Sequence, residues 1–569
     1  MGARVSRIQL YSWFLLFTAG LGGLLYGIDI GIIAAALLYL NKTIDLTVSQ
    51  TSMIVAAVLG GSMISSLVAG VFADLLGRKR LMILSGAMFV TSVGLIVLSQ
   101  SFTALFLGRL LQGMSGGVIA VVVPLYLAEC LTAAHRGRGT AIFQFMLTFG
   151  IVCAAIIGWY YTRQAEGTIS LASGNPELIR AAQNHAWRGM FLAVIYPGVV
   201  FFIGSFALSE SPRWLLMRGR PDRALAALRR SREEAEAQSE LREMLVLAQT
   251  QSGKSTAGGS LLRRKYIVPF VLACVIMVCN QTTGINSILS FLVVILKQAG
   301  LSASRATQGD VAVKVLNCVM TIVAVALVDK KGRRFLLRIG TGGVILALLA
   351  AGFLFLGAES KRVDVRTRIE STVAGNSITL PVNAGSLGVT PSAKPMALVV
   401  LYSYGTGDHM ATVLSNEDHP VLSITPPEES PRSLLRIKRA MYGPVPSVRT
   451  GWMITACLAF FIASFSVGPG VVVWLALSEL MPTRIRSIGM GVSLLLNQGA
   501  STLIAAAFLP VVGRYGYSVM FFFWSVCTVV YFITATFFLP ETKGRTLEEI
   551  EASFDRQSIS KLRGADVAR

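Results

Sequence analysis

Ala73-Asp74-Leu75-Leu76-Gly77-Arg78-Lys79-Arg80 and Val328-Asp329-Lys330-Lys331-Gly332-Arg333-Arg334 are two copies of one charged motif, set in the two halves of a 569-residue chain. Two more motifs return in the same order. Glu129 precedes Arg136 as Glu479 precedes Arg486, and Ser209-Glu210-Ser211-Pro212-Arg213 is echoed by Pro540-Glu541-Thr542-Lys543-Gly544-Arg545. Three unlike motifs repeated in order mark an internal duplication. The stretches between them are apolar, so the duplicated unit is a membrane bundle, and such bundles usually carry something across the bilayer.

Composition agrees. Hydrophobic residues make up 53% of the chain and charged residues 14%, with mean hydropathy +0.64; a soluble domain is typically about a quarter charged. Apolar runs long enough to cross about 30 Å of hydrocarbon as helix lie near 10–36, 50–73, 82–99, 104–128, 139–161, 187–208, 267–296, 311–328, 336–357, 451–480, 488–511 and 516–539. The first is too long, and too closely followed by others, for a cleaved signal peptide. Its glycines (Gly20, Gly22, Gly23, Gly27, Gly31) suit close helix packing. The expected fold is all-α, with twelve spans in two six-helix halves.

The net charge of +21 does not indicate nucleic acid, because no DNA-reading motif accompanies it. Basic residues cluster at 77–80, 135–138, 213–265, 330–338, 484–486 and after 541, in alternate connections. That is the positive-inside pattern, and it places both termini in the cytoplasm; a bacterial inner membrane is the favoured host. The seven cysteines lie in or beside apolar runs and the four histidines in loops. No metal-ligand spacing and no nucleophile–base constellation is visible, so the chain reads as neither a metalloprotein nor an enzyme, with no cofactor.

Residues 1–210 form one expected half and 267–541 the other. Residues 211–266 between them are polar, with amphipathic cytoplasmic helices expected from Pro221 onward. A cytoplasmic tail spans 542–569. Residues 359–449 interrupt the second half between spans 9 and 10, far longer than an ordinary loop. Sequence leaves two alternatives, a small extracytoplasmic domain or a flexible insertion. A shorter external loop is expected at 162–186.

Ionisable residues inside an apolar span are costly, so each is a functional candidate. Asp29 lies in the first span and Arg109 near the start of the fourth. If they meet, protonating Asp29 breaks an ion pair and frees Arg109, a proton-sensitive switch; a permanent structural pair is the alternative. Lys314 in the eighth span either snorkels to the outer interface or faces a cavity one turn from Asn317. Organic-acid transport follows only from the second case.

Amides form another constellation: Gln144 in span 5, Asn280, Gln281 and Asn286 in span 7, Asn317 in span 8, and Asn497 with Gln498 in span 11. Amides both donate and accept, which suits a polyhydroxylated solute. Trp474 offers a flat face for a sugar ring. The alternative for each amide is interhelical glue. Gly468-Pro469-Gly470 should break or kink span 10, making a hinge for an outer gate. Charged helix ends (Glu129, Arg136, Glu210, Arg213, Arg333, Arg334, Glu479, Arg484, Glu541) are expected to latch the halves together in one state and release in the other.

These motifs, with Arg136-Gly137-Arg138-Gly139, Gln281, Gly284-Ile285-Asn286 and Trp474, resemble the sugar porter family of the major facilitator superfamily over essentially all but 359–449. That family holds facilitative glucose carriers and bacterial xylose–proton symporters. The resemblance implies a sugar site made by Gln281, Asn286, Asn317, Trp474 and Asn497, with Gln144 from the first half. It also implies that Asp29 couples to a proton with Arg109 as partner, since facilitative members usually carry asparagine there. The chain departs from the family at Asn280, where a glutamine is usual. Ser290, Phe291, Val471, Val473, Gln498 and Ser501 depart as well, so the pocket shape differs. The expected function is proton-coupled import of a monosaccharide or polyol by a monomer in contact with membrane lipid. A facilitator and a non-transporting sugar sensor are the rivals.

Overall fold

A computed structural model describes residues 7–252, 264–373, 376–390, 394–404, 407–415, 420–425, 434–481 and 486–541. Among them are twelve helical segments long and apolar enough to cross a membrane. Spans 1 to 6 are Arg7–Gly31, Val48–Leu76, Arg78–Leu98, Phe102–Cys130, Ala141–Leu171 and Pro176–Ala207. Spans 7 to 12 are Tyr266–Gln298, Ala303–Val328, Arg333–Glu359, Val448–Leu477, Gly489–Tyr515 and Tyr517–Phe538. Large apolar side chains such as Leu98, Ile203, Leu346, Leu503, Val526 and Phe537 stay exposed on the outside of the bundle. Water would not tolerate that girdle, but lipid covers it. The protein is a multi-pass membrane protein.

Local signals set the ends of the spans. Thr47 and Gln50 close a reciprocal capping box at the start of span 2, Gln50 N donating to Thr47 Oγ1 at 3.1 Å and Thr47 N to Gln50 Oε1 at 2.9 Å. Asn175 caps span 6 ahead of Pro176, while Ser302 and Ser447 cap spans 8 and 10. Span 5 continues helical to Leu171, so the external loop expected at 162–186 shrinks to 172–175. The glycines of span 1 meet span 5: a Cβ on Gly31 would stand 2.8 Å from Ala154 Cβ, and one on Gly27 would overlap the Leu147 carbonyl. Only glycine permits that approach.

Spans 1 to 6 pack mainly on one another, as do 7 to 12; the halves meet where span 2 lies on span 11 and span 5 on span 8. Corresponding helices are interrupted in both halves. Span 1 ends at Gly31 and resumes as Ile33–Thr43. Span 7 pauses at Gly284, with φ +83°, between Arg264–Thr282 and Ile285–Gln298. Between the halves lie the helices Pro212–Met217, Pro221–Arg229 and Glu234–Ser252.

The insertion is a folded β-domain. Its strands are β1 Val363–Asp364, β2 Ile378–Pro381, β3 Met396–Tyr404, β4 Gly407–Leu414, β5 Val421–Ile424 and β6 Leu435–Pro444. An antiparallel sheet runs β1-β6-β3-β4, and β2 pairs with β5. Inward residues such as Ile369, Leu398, Val400, Ile437 and Ala440 form a core separate from the bundle. The domain sits at the end of the bundle opposite the Gly77 and Gly332 turns, and touches both halves there. His409 Nδ1 lies 3.4 Å from Asp45 Oδ1 in the first half. Arg439 donates to the Arg514 carbonyl at 2.9 Å in the second.

Candidate functional site

A cavity of about 620 Å³ lies between the halves, midway along the spans. It reaches past Trp474, Leu477 and Met490 toward the end bearing the Gly77 and Gly332 turns, hereafter the motif end. The far end is sealed by Ile33–Leu40, all buried, against the buried second piece of span 7. Ser52 adds a hydrogen bond across the halves there, accepting from Leu509 N at 3.1 Å.

All seven residues expected to face a solute (Gln144, Asn280, Gln281, Asn286, Asn317, Trp474 and Asn497) line this cavity. Four elements bring the amides together. The Gly284 interruption places Gln281 and Asn286 on the same side of span 7, where Asn286 Nδ2 donates to Gln281 Oε1 at 3.0 Å and to Ser501 Oγ at 2.8 Å. Gln281 Nε2 donates in turn to Asn497 Oδ1 at 3.1 Å, and Asn497 Nδ2 to the Met277 carbonyl at 2.8 Å. Asn317 accepts from Ser466 Oγ at 2.8 Å. The Asn280 side-chain oxygen, Oδ1, is buried without a partner. A chain of amides that both donate and accept, beside an exposed indole face, matches a hydroxyl-rich ring. Sequence reasoning missed Tyr26, Ser62, Ser66 and Thr148, the first-half polar groups of the wall; hydroxyls are common in membrane helices and give little signal alone.

At Gly468-Pro469-Gly470 span 10, expected to break or kink, is irregular but not severed. Ser466–Gly470 forms one widened π-helical turn within a continuous helix. It lies in the cavity wall at Ser466 and Gly470, and Gly468 packs against Gly340 of span 9, where a Cβ would stand 2.9 Å from the Gly340 Cα. A π-turn releases backbone groups without severing the helix, and is common at functional sites.

Asp29 and Arg109 are each 1% exposed and face one another, but they do not touch. Neither Asp29 oxygen has a hydrogen-bond partner. Arg109 instead donates to Gln112 Oε1 at 2.6 Å and lies 5.5 Å from the Phe191 ring centroid. The expected contact is thus open here, because the two residues ride on different helices and Gln112, one turn from Arg109, holds the guanidinium. Gly116 makes room for the acid: a Cβ there would stand 3.4 Å from Asp29 Oδ2 and 3.0 Å from the Tyr26 ring. Tyr26 and Ile30, the neighbours of Asp29 on span 1, line the cavity, whereas Asp29 does not.

The repeated motifs have the same geometry in both halves. Gly77 and Gly332 turn the chain at φ +97° and +89°, a conformation only glycine adopts freely. In the first half Glu210 accepts from the backbone N–H of Arg78 and of Lys79, at 2.9 and 3.1 Å. In the second, Glu541 accepts from Arg333 N and Arg334 N, at 3.0 and 3.1 Å. Each carboxylate thereby caps the next span against its helix dipole. Arg78 then pairs with buried Glu129 at 2.8 Å, and Ser211 Oγ donates to Glu129 at 2.6 Å; Arg333 pairs with Glu479 at 3.1 Å. These contacts join elements of one half, bracing it as a rigid body, and the latch expected between the halves is not among them. Arg213 is exposed. Arg484 lies outside the described residues, as does the side chain of Arg136.

Lys314 corrects both readings of it. It neither snorkels nor lines the cavity: it is fully buried and paired with Asp310 at 2.8 Å. The condition for organic-acid transport therefore fails.

A family model described as "Sugar (and other) transporter" matches residues 15–393 and 441–554. The chain belongs to the sugar transporter family. The gap in the match, 394–440, falls within the β-domain, so the family core is the bundle. Among curated relatives, the chain is 28% identical to the glucose transporter GlcP of Staphylococcus epidermidis over 95% of this chain and 96% of that protein. It is 27% identical to probable inositol transporter 2 of Arabidopsis thaliana, over 96% and 92%. It is also 27% identical to mouse facilitated glucose transporter member 12, over 97% and 86%. Among solved structures, the inward-open xylose transporter XylE of E. coli superposes with a TM-score of 0.66 at 20% identity, over 95% of this chain and 99% of that one. A family member of this fold is a transporter and not an enzyme.

Proposed function

We propose that the protein carries a monosaccharide or polyol across the membrane together with a proton, by alternating access. The observation that carries the reading is the amide-and-indole cavity between two braced halves, closed at one end and set one helical turn from a buried carboxylate that faces an arginine. Solute binds in the cavity while the halves rock about it. A protonated Asp29 leaves no unpaired acid in the separated arrangement, whereas an ionised one draws Arg109 toward it. Coupling arises because the two forms favour different packings of spans 1 and 4. On the positive-inside pattern the motif end, both termini and the linker helices are cytoplasmic, and the β-domain faces outward.

The test is accumulation of labelled D-glucose, D-xylose or myo-inositol in proteoliposomes under an imposed proton gradient. Uphill accumulation that Asp29→Asn abolishes while sugar exchange persists supports symport. Downhill entry unaffected by the gradient makes the protein a facilitator, a reading favoured by its likeness to the mouse facilitated glucose transporter.

A further inference from the structure

Asp310 and Lys314 lie one turn apart on span 8 and are 1% and 0% exposed. Lys314 Nζ donates to Asp310 Oδ2 at 2.8 Å and to the Gly31 carbonyl at 3.1 Å. The second contact crosses the halves, from span 8 to the last residue before the interruption of span 1. Gly31 lies two residues beyond Asp29. On the other side, Asn317, three residues beyond Lys314 and on the same helical face, stands in the cavity wall. One lysine thus joins the solute-facing wall of the second half to the turn that carries the buried acid of the first.

A purely structural role explains this poorly. Taking an ammonium and a carboxylate out of water is expensive, and well-packed apolar residues of similar volume usually stabilise as well or better. Asp310 Oδ1 is also left buried without a partner, so the pair is not optimised as glue. Charged residues at such depth are retained for function by default.

We propose that the Asp310–Lys314 pair is a positioning element for proton coupling: it grips the span 1 interruption at Gly31, so that movement of span 8 on solute binding changes the placement of Asp29 against Arg109. The inference rests on the symport reading above. Asp310 acts through Lys314 by holding its ammonium on the Gly31 carbonyl. The groups facing Asp29 are Arg109 and Gln112 on span 4 and Tyr26 on its own helix; those facing Lys314 are Asp310 and Gly31.

The test is the double variant Asp310→Asn/Lys314→Met, which removes both charges at nearly constant volume, reconstituted beside wild type and Asp29→Asn. Labelled D-glucose, D-xylose and myo-inositol serve as probes. The double variant should still exchange sugar, while proton-driven accumulation falls by about tenfold and its pH profile shifts. Accumulation with the wild-type profile overturns the proposal and leaves the pair structural. If Asp29→Asn itself leaves accumulation intact, the symport reading has failed, and the positioning role falls with it. Should the double variant not reach the membrane, Lys314→Arg decides: a planar guanidinium cannot reproduce the ammonium's placement, so exchange should persist with a shifted accumulation profile. An unshifted profile there again overturns the proposal.

Discussion

Two of the acid–base pairs buried in the bundle are held in opposite ways. Asp310 and Lys314 share one helix at i and i+4 and touch at 2.8 Å; helix geometry keeps them together whatever the bundle does. Asp29 and Arg109 ride on different spans, face one another and do not touch. Their separation is set by how two helices pack, so it changes when the packing changes. On the proposed reading, the pair fixed by local geometry is a strut and the pair fixed by tertiary packing is a switch. The proposed solute site follows the same division, with all its amides but Gln144 in the second half beside the Asp310–Lys314 pair and Asp29 in the first half, behind Tyr26.

The largest expected effect breaks the switch: Asp29→Asn should abolish accumulation against a gradient, with labelled counterflow as the control that the site still binds. Next comes the strut taken singly. Lys314→Met leaves Asp310 buried without its cation and should cost about 3–5 kcal/mol of stability, whereas Asp310→Asn/Lys314→Met should cost far less; thermal unfolding in detergent compares them. If the single and double variants melt alike, the two residues are not a coupled pair. A smaller loss tests the amide side. Gln281→Ala removes one hydrogen bond each from Asn286 and Asn497, so sugar affinity should fall by about 1–3 kcal/mol in binding assays, with proton coupling retained in whatever transport remains.

The turns rank next. Gly332→Ala forces alanine into positive φ, with a Cβ 2.8 Å from Glu541 Oε2, and should cost about 1–3 kcal/mol. Because Gly77 meets Glu210 in the same way, Gly77→Ala should cost a similar amount; a large difference between the two would mean that the halves are not braced alike. The smallest effect is at the surface, where the pair Asp45–His409 gives a baseline for ion pairs outside the membrane. The hydrogen bond from His409 holds the Asp45 carboxyl below its ordinary range. A carboxylate lowered in the folded state stabilises it above the usual carboxylate range and loses that contribution as the pH falls through the lowered value. The contribution is at most about 1 kcal/mol and screened by salt, so Asp45→Asn should shift unfolding little, and only above that range.

The fold was legible because hydrophobic run length and repeated charged motifs are local signals. A glycine at positive φ followed by a capping arginine turn leaves its mark within eight residues, and it does so twice. The cavity amides were legible for a similar reason, since a glutamine or asparagine stands out in an apolar run. What stayed hidden was tertiary. Asp310 sits near the start of span 8 after Gln308-Gly309 and looks like a helix-end residue; only the fold brings the carbonyl of Gly31 to its lysine. The separation of Asp29 from Arg109 depends on Gln112, one turn along from Arg109, and on Phe191, which only the fold brings to the guanidinium. The β-domain carried a strand signal in Leu398-Val399-Val400-Leu401-Tyr402, and β4 follows closely enough to pair with β3 as a hairpin, but its other partner β6 begins more than thirty residues later, with no local pattern to link the two.

On the symport reading, solute and proton move together. This is tested most directly by following the pH inside sealed proteoliposomes while D-glucose, D-xylose and myo-inositol are added outside in turn. Acidification that appears with one of these solutes and vanishes in Asp29→Asn is the predicted result. Entry of labelled solute with no change in internal pH would rule out symport and reduce Asp29 and Arg109 to structural residues of a facilitator.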